Sequence, residues 1–373
     1  MRVRFLQTSD VHLRSDRPER FRSLELVFQE AVARSADAVL IVGDLFDRVS
    51  DAAAARAFVR ELVERIAPRP VVFLPGNHDP SCYDDGADYG ANAVLLAEKP
   101  VARTDVAGLK IVGIPYQHGR TGAECLIGVA CDPRHTVLMV HGTLVDAAPG
   151  FAGEGEDGSY MPFTLSELFE RCCYAALGHI HSGQRLLHRE GERLAAYAGS
   201  PTATSRRELG PRSALLVDVE SGAGVVAHER IALGTPYYER VEVDCVPGNE
   251  EAAIDDLGRR AAALRRPGVR VLARLGGVST ATEASLRSAA EKALARAWGH
   301  KVDGTRIGSD DPEASVPILE LATTSYAALA QIPVVGEFVS RLEARAKADP
   351  GIDRNTFETA LQLGLHAFLE SLP

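Results

Sequence analysis

Short apolar runs alternate with stretches of helical spacing through the first half of the chain. Val3–Gln7, Ala38–Val42, Val71–Leu74, Lys110–Ile114 and Thr136–Val140 read as short buried strands. Between them, Arg20–Ser35 and Asp51–Ile66 place apolar residues three and four apart, which predicts amphipathic helices. Strand and helix in alternation point to a layered α/β architecture. A later group, Tyr174–Leu177, Arg185–His188, Leu194–Tyr197, Ala214–Val219 and Val225–Arg230, is separated by Gly- and Ser-bearing turns. It predicts an all-β stretch supplying the second sheet of a sandwich.

Around Leu233-Gly-Thr-Pro236 the pattern changes. Tyr237–Asp244, Asn249–Leu264, Val269–Leu275, Thr282–Trp298 and Lys301–Ile307 read strand, helix, strand, helix, strand, a small α+β module. The polar stretch Gly308–Pro317 then leads into a helical tail, where Phe357, Leu361, Leu365, Phe368 and Leu372 form one apolar stripe. Periodicity leaves open whether that stripe closes against its own domain or docks a partner. The expected units are residues 1–234, 235–308 and 318–373.

Composition narrows the class. Of 373 residues, 46% are hydrophobic and 25% charged, the balance of a soluble globular protein. No stretch approaches the roughly 20 apolar residues of a membrane span. The start of the chain reads as a strand and not as a signal peptide, so a cytoplasmic location is expected. The 6 cysteines form no Cys-x-x-Cys pair, which argues for reduced, packed thiols over a zinc knuckle or redox dithiol. A net charge of -10 argues against coating nucleic acid by bulk electrostatics, though not against local recognition of phosphate.

The chemistry lies just past the predicted strands. Asp10-Val-His12 projects two ligands to one side of an extended segment, and Gly43-Asp-Leu-Phe-Asp47 adds a carboxylate able to bridge two cations. Gly76-Asn-His-Asp79 offers an amide oxygen in Asn77 and a proton-donating imidazole in His78. His141-Gly142 and Gly178-His-Ile-His181 add three imidazoles. Groups past the carboxyl ends of neighbouring strands converge on one crevice. Asp10, His12, Asp44, Asn77, His141, His179 and His181 suit two ions that share a carboxylate, and mixed oxygen and imidazole ligation favours Mn²⁺, Fe²⁺ or Zn²⁺. His118, His135, His188, His228, His300 and His366 belong to no such constellation.

This order of blocks, covering residues 8–181, resembles the calcineurin-like metallophosphoesterase superfamily. Three further features are similar to its SbcD-type DNA repair exonucleases: Ile111-Val-Gly-Ile-Pro-Tyr116, the gap of nearly forty residues between His141 and His179, and the stretch from Tyr197 to Gly210. Where family members carry Pro-Gly-Ser, this chain has Ala198-Gly-Ser200. The resemblance implies a four-layer αββα sandwich with a small α+β capping domain and a C-terminal helical tail. It implies one ion on Asp10, His12, Asp44 and His181, and the other on Asn77, His141, His179 and the shared Asp44. His78 would be the general acid, with Asp47 orienting it or a water. The implied activity is Mn²⁺-dependent exonuclease and endonuclease cleavage of DNA. Implied partners are DNA, an SMC-like ATPase subunit (SbcC-type) bound through the C-terminal helices, and a second copy of the chain. Arg185, Arg189, Arg193, Arg206, Arg207 and Arg212 crowd the region after the ligands and are candidate phosphate contacts. The alternative is a small-molecule phosphodiesterase or phosphatase on the same dinuclear site.

Overall fold

The computed structural model describes residues 1–84, 86–146, 160–182, 187–299 and 316–371. It divides into two compact units, Met1–Tyr237 and Tyr238–Pro373.

In the first unit the order is β1 (Arg2–Thr8), α1 (Pro18–Ala33), β2 (Ala38–Val42), α2 (Val49–Arg65), β3 (Val71–Leu74), β4 (Ala93–Leu95), β5 (Ala102–Val106), β6 (Leu109–Ile114), α3 (Gly122–Leu126), β7 (Thr136–His141), α4 (Leu165–Phe169) and β8 (Tyr174–Gly178). Then come β9 (Leu187–Glu190), β10 (Arg193–Tyr197), β11 (Ser213–Glu220) and β12 (Gly224–Ala232). The strands make two six-stranded sheets, ordered β12-β11-β1-β2-β3-β4 and β5-β6-β7-β8-β10-β9.

Side-chain alternation along the strands explains the layering. Successive residues point to opposite faces, so a strand buried on both sides feeds two cores. In β2, Val39 and Ile41 join Leu24, Val27 and Phe28 of α1 and Val59 and Leu62 of α2. Its Ala38, Leu40 and Val42 instead meet Val137 and Met139 of β7 and Tyr174 and Ala176 of β8 between the sheets. The other residues of β7 and β8, Leu138, Val140, Ala175 and Leu177, pack on Leu126 of α3 and on Leu168 and Phe169 of α4. The result is helices, sheet, sheet, helices, the expected four-layer sandwich. One polar link crosses the middle: Gln7 Nε2 donates to the carbonyls of Leu177 and Ala196, and the Tyr174 hydroxyl donates to Gln7 Oε1.

Two sequence expectations are corrected here. The later β stretch does not form the second sheet by itself. Its last two strands, β11 and β12, join the first sheet, where β11 runs antiparallel to β1 with Phe5 opposite Val217. Conversely, β6 and β7 from the first half belong to the second sheet. An alternating pattern states which faces are apolar but not which neighbour takes the backbone hydrogen bonds, so it assigns no strand to a sheet.

The second unit contains β13 (Tyr237–Cys245), α5 (Glu250–Ala263), β14 (Val269–Ser279), α6 (Glu283–Ala297), β15 (Ile318–Ser325), α7 (Tyr326–Ala330), α8 (Pro333–Ala348) and α9 (Arg354–Ser371). Its sheet is β13-β14-β15. The expected strand Lys301–Ile307 lies outside the described residues, as does Leu372 of the stripe. The third strand observed is β15, which opens the segment expected to be wholly helical and pairs in parallel with β14. Its Ile-Leu-Glu-Leu-Ala-Thr-Thr-Ser sequence carries the β-branched residues that favour a strand. Leu361 and Leu365 are buried with Val278, Leu329, Val335 and Val339, and Phe357 and Phe368 pack against them. The stripe therefore closes within its own unit. All 6 cysteines are free, and among the described residues no helix is long and apolar enough to cross a membrane.

Candidate metal centre

β1, β2 and β3 run parallel in the first sheet, and β7 and β8 run parallel in the second. Their carboxyl ends are thus side by side, and each releases its polar residues at that edge. Asp10 and His12 follow β1, Asp44 and Asp47 follow β2, Asn77 and His78 follow β3, His141 ends β7, and His179 and His181 follow β8.

The backbone is bent hard to bring them in. Asp10, His12, Asp44 and His179 have φ of 54, 50, 51 and 106°, in the left-handed region that L residues avoid unless the surroundings hold them there. Two glycines permit close approach of the sheets. A Cβ on Gly178 would lie 1.9 Å from the Val42 carbonyl oxygen, and one on Gly43 would lie 2.0 Å from His141 Nδ1.

Every candidate side chain meets its neighbours. His12 Nε2 and His181 Nε2 face each other at 3.0 Å. Asp44 Oδ2 lies 3.8 Å from His12 Nε2 and 3.3 Å from His141 Nε2, between the two expected ligand sets. Asn77 Oδ1 sits 3.0 Å from His141 Nε2 and 3.3 Å from His179 Nδ1. Both Asp10 carboxylate oxygens accept from the His179 N–H, and Ser9 Oγ donates to Oδ2 at 2.6 Å. His78 stands exposed at the rim, edge-on to the His12 ring at 4.7 Å.

Atoms behind the imidazoles fix which nitrogen faces inward. His141 Nδ1 is 3.0 Å from the Val42 carbonyl oxygen, which can only accept, so the proton sits on Nδ1 and Nε2 faces Asn77 and Asp44. Burial alone would push the His141 imidazole down, but the Asp44 carboxylate, with Asp10, outweighs it and holds it up at about 9. Burial likewise opposes a charged His181, and the hydrogen bond and charge of Glu208 raise it to about 9. Among the described residues no such carboxylate stands behind His179; burial and the neighbouring His141 charge push it down to about 3.

Asp47 differs from expectation in one respect. Its carboxylate faces His12 Nδ1 at 3.3 Å and the guanidinium groups of Arg14 and Arg20 at 3.5 Å. The hydrogen bond to His12 is the chief reason its carboxyl is held down at about 2. It is the Asp47 backbone carbonyl, 3.2 Å from His78 Nδ1, that orients His78. Among the candidate phosphate contacts, Arg212 is buried and bound to Ser200, Glu208 and the His181 carbonyl, which removes it from that role. Arg189 bonds to the Gly191 and Val225 carbonyls. Arg185 lies outside the described residues, whereas Arg206 and Arg207 are exposed.

Two buried acids escaped the sequence reading. Asp79 accepts from the backbone N–H groups of Leu45, Phe46 and Gly76 and from the Tyr83 hydroxyl, so it ties the loop after β2 to the loop after β3. Burial, then the Asp44 charge, raises its carboxyl to about 6. Glu208 backs His181. Both lie inside motifs quoted for other residues. The sequence signal for Asp79 was an acid beside a ligand, which any solvated acid would also give, and Glu208 lies 27 residues from the histidine it backs.

The donor set fits divalent cations. The groups Asp10, His12, His181; His12, Asp44, His78; and Asp10, Asp44, His141 each bring their ligand atoms within 4.8 Å of one another. Facing lone-pair atoms at such distances repel unless a proton or a cation lies between them, and hard oxygen with imidazole nitrogen suits Mn²⁺, Fe²⁺ or Zn²⁺.

Residues 3–182 match the family model described as calcineurin-like phosphoesterase. An uncharacterized metallophosphoesterase of Bacillus subtilis, YhaO, is 28% identical over 278 residues, or 70% of this chain and 65% of that protein. The DNA double-strand break repair protein Mre11 of Aeropyrum pernix is 29% identical over 286 residues, or 65% of this chain and 64% of that protein. The chain thus spans just under two thirds of the length of these curated relatives. Among solved structures, a dimetal phosphatase from Danio rerio gives a TM-score of 0.41 at 10% identity, covering 62% of this chain and 99% of that one.

Proposed function

Residues 3–182 are a calcineurin-like phosphoesterase domain, and on that premise we propose that the chain is a hydrolase of phosphoric esters that cuts phosphodiester bonds in DNA. The observation that carries the reading is the meeting of Asp10, His12, Asp44, Asn77, His141, His179 and His181 at one edge of the sandwich, with His78 exposed beside them.

In this reading Asp10, His12, Asp44 and His181 hold one cation, and Asn77, His141, His179 and Asp44 hold the other. Bound there, two divalent cations supply Lewis-acid charge that offsets the phosphoryl oxygens and acidifies a water. The chain's own groups do the rest. His78, with Nδ1 turned to the Asp47 carbonyl, keeps Nε2 for the departing 3′-oxygen and stabilises it by hydrogen bond or proton transfer. Asp47 holds His12 through its carboxylate and His78 through its carbonyl, so one residue sets a ligand and the acid together.

DNA as substrate is supported by the likeness to Mre11 and by positive groups at the rim. Arg206 and Arg207 are exposed next to Glu208, and Arg48 is exposed next to Asp47, where each can meet a backbone phosphate. Mn²⁺ is the proposed ion. A role in DNA repair and recombination, a cytoplasmic location, an SMC-like ATPase partner at the C-terminal helices and a homodimer are part of the same proposal.

The net charge of -10 favours a second reading, a small-molecule phosphodiesterase or phosphatase. The two separate on one assay. With Mn²⁺, end-labelled duplex DNA should be shortened, and bis-nitrophenyl phosphate turned over only slowly. Rapid turnover of the small diester with intact DNA would establish the second reading instead.

A further inference from the structure

Three of the inward-facing histidines are backed differently. A backbone carbonyl stands behind His141 and the Asp47 carboxylate lies beside His12. Behind His181 is a built, buried polar platform from the segment that follows β10. Glu208 is buried, with Oε1 3.1 Å from His181 Nδ1. Thr204 Oγ1 is 3.0 Å from the same nitrogen and donates its own proton to Glu208, so its oxygen is a second acceptor. The other carboxylate oxygen accepts from Ser200 Oγ at 2.7 Å and from the Thr204 N–H at 3.0 Å.

Arg212 completes the platform. Its guanidinium, itself fully buried, lies 3.4 Å from Glu208 Oε2 and donates to Ser200 Oγ at 2.7 Å and to the carbonyls of Ser200 and His181. It thereby grips both the carboxylate and the backbone of the histidine that the carboxylate serves. A buried ion pair needs such added hydrogen bonds to offset desolvation. Acceptors alone stand behind Nδ1, so the proton belongs there, and Nε2 is left as the electron pair facing His12.

We propose that Glu208, locked by Arg212, is a positioning residue that presents His181 Nε2 as a ligand to one of the two cations. The inference rests on the metal-centre reading above. It makes the stretch from Ser200 to Arg212 part of the site's construction, although its arginines read in sequence as candidate phosphate contacts.

Equilibrium binding of Mn²⁺ alone to the full chain, followed by the free-ion electron paramagnetic resonance signal, tests it. The unsubstituted chain should bind two ions. Glu208→Ala should weaken one of them by about 10–100-fold, the usual range for an outer partner of a ligand histidine, and leave the other nearly unchanged. Glu208→Gln should recover most of that loss, because its amide oxygen still accepts from Nδ1. Both variants remove the charge beside Arg212, and Glu208→Ala also leaves a cavity and the Ser200 and Thr204 donors unpaired, so its metal-free form should melt lower. Equal weakening of ion binding in Glu208→Ala and Glu208→Gln would overturn the proposal, as would two ions bound unchanged in Glu208→Ala. If Glu208→Ala does not fold, Thr204→Val removes the second acceptor together with its hydrogen bond to Glu208. It should weaken the same ion, and unchanged binding would overturn the inference. Fewer than two ions in the unsubstituted chain would instead bring down the metal-centre reading itself.

Discussion

The edge of the first unit that holds the candidate metal centre and the unit Tyr238–Pro373 are built on opposite terms. Among the described residues, every non-glycine residue with positive φ lies in the first unit, and Asp10, His12, Asp44 and His179 are four of them. Every cluster of three or more potential metal ligands among the described residues is there too. The second unit keeps positive φ to glycines such as Gly268 and Gly277, and buries Leu361 and Leu365 in an ordinary apolar cluster. Strain and facing charge persist only where the surroundings over-determine them, so their concentration at one edge marks where the fold gives up stability for chemistry. Among its described residues the second unit carries no such mark.

The sharpest way to break this contrast is Asp44→Asn. Its carboxylate lies between the two ligand sets, so the variant should lose both ions in a metal analysis and hydrolyse no faster than background. Retention of both ions would show that nothing is shared. His78→Gln should come next, with both ions kept and turnover cut about 10²–10⁴-fold. Unchanged turnover would take His78 out of the mechanism.

Proton competition gives a smaller, graded effect. His141 and His181 are held up at about 9 without metal, and each ion must displace one of these protons. Mn²⁺ affinity should therefore fall as pH falls, by about tenfold per pH unit for each ion between pH 9 and 7. Flat affinity over that window would mean the imidazoles are already neutral. The mildest test lies in the other region. Leu361→Ala should cost about 2–5 kcal/mol by leaving a cavity in the second unit, lowering its melting temperature while ion content stays unchanged. Loss of ions there would show that the two regions are not energetically separate.

Much of this was legible in the sequence, for identifiable reasons. Strands such as Ala38–Val42 and Val71–Leu74 are apolar on both faces, and the ligands follow strand ends directly, so both elements and donors can be read locally. Pairing was not legible: nothing in Ala214–Val219 says that it adds to β1 and not to β10. Nor was β15, eight residues placed beyond a polar stretch that reads as the end of the module. Glu208 was missed and Arg212 misread for a related reason. A basic segment looks like a solvated face until the fold shows that one acid and one arginine within it are buried against each other.

Crystals of the chain soaked in Mn²⁺ and measured at the manganese absorption edge test the central claim most directly. Two anomalous peaks should appear, both touching Asp44, one beside Asp10, His12 and His181 and the other beside Asn77, His141 and His179. No peak at the sheet edge, or a single peak that Asp44 does not touch, would contradict the account.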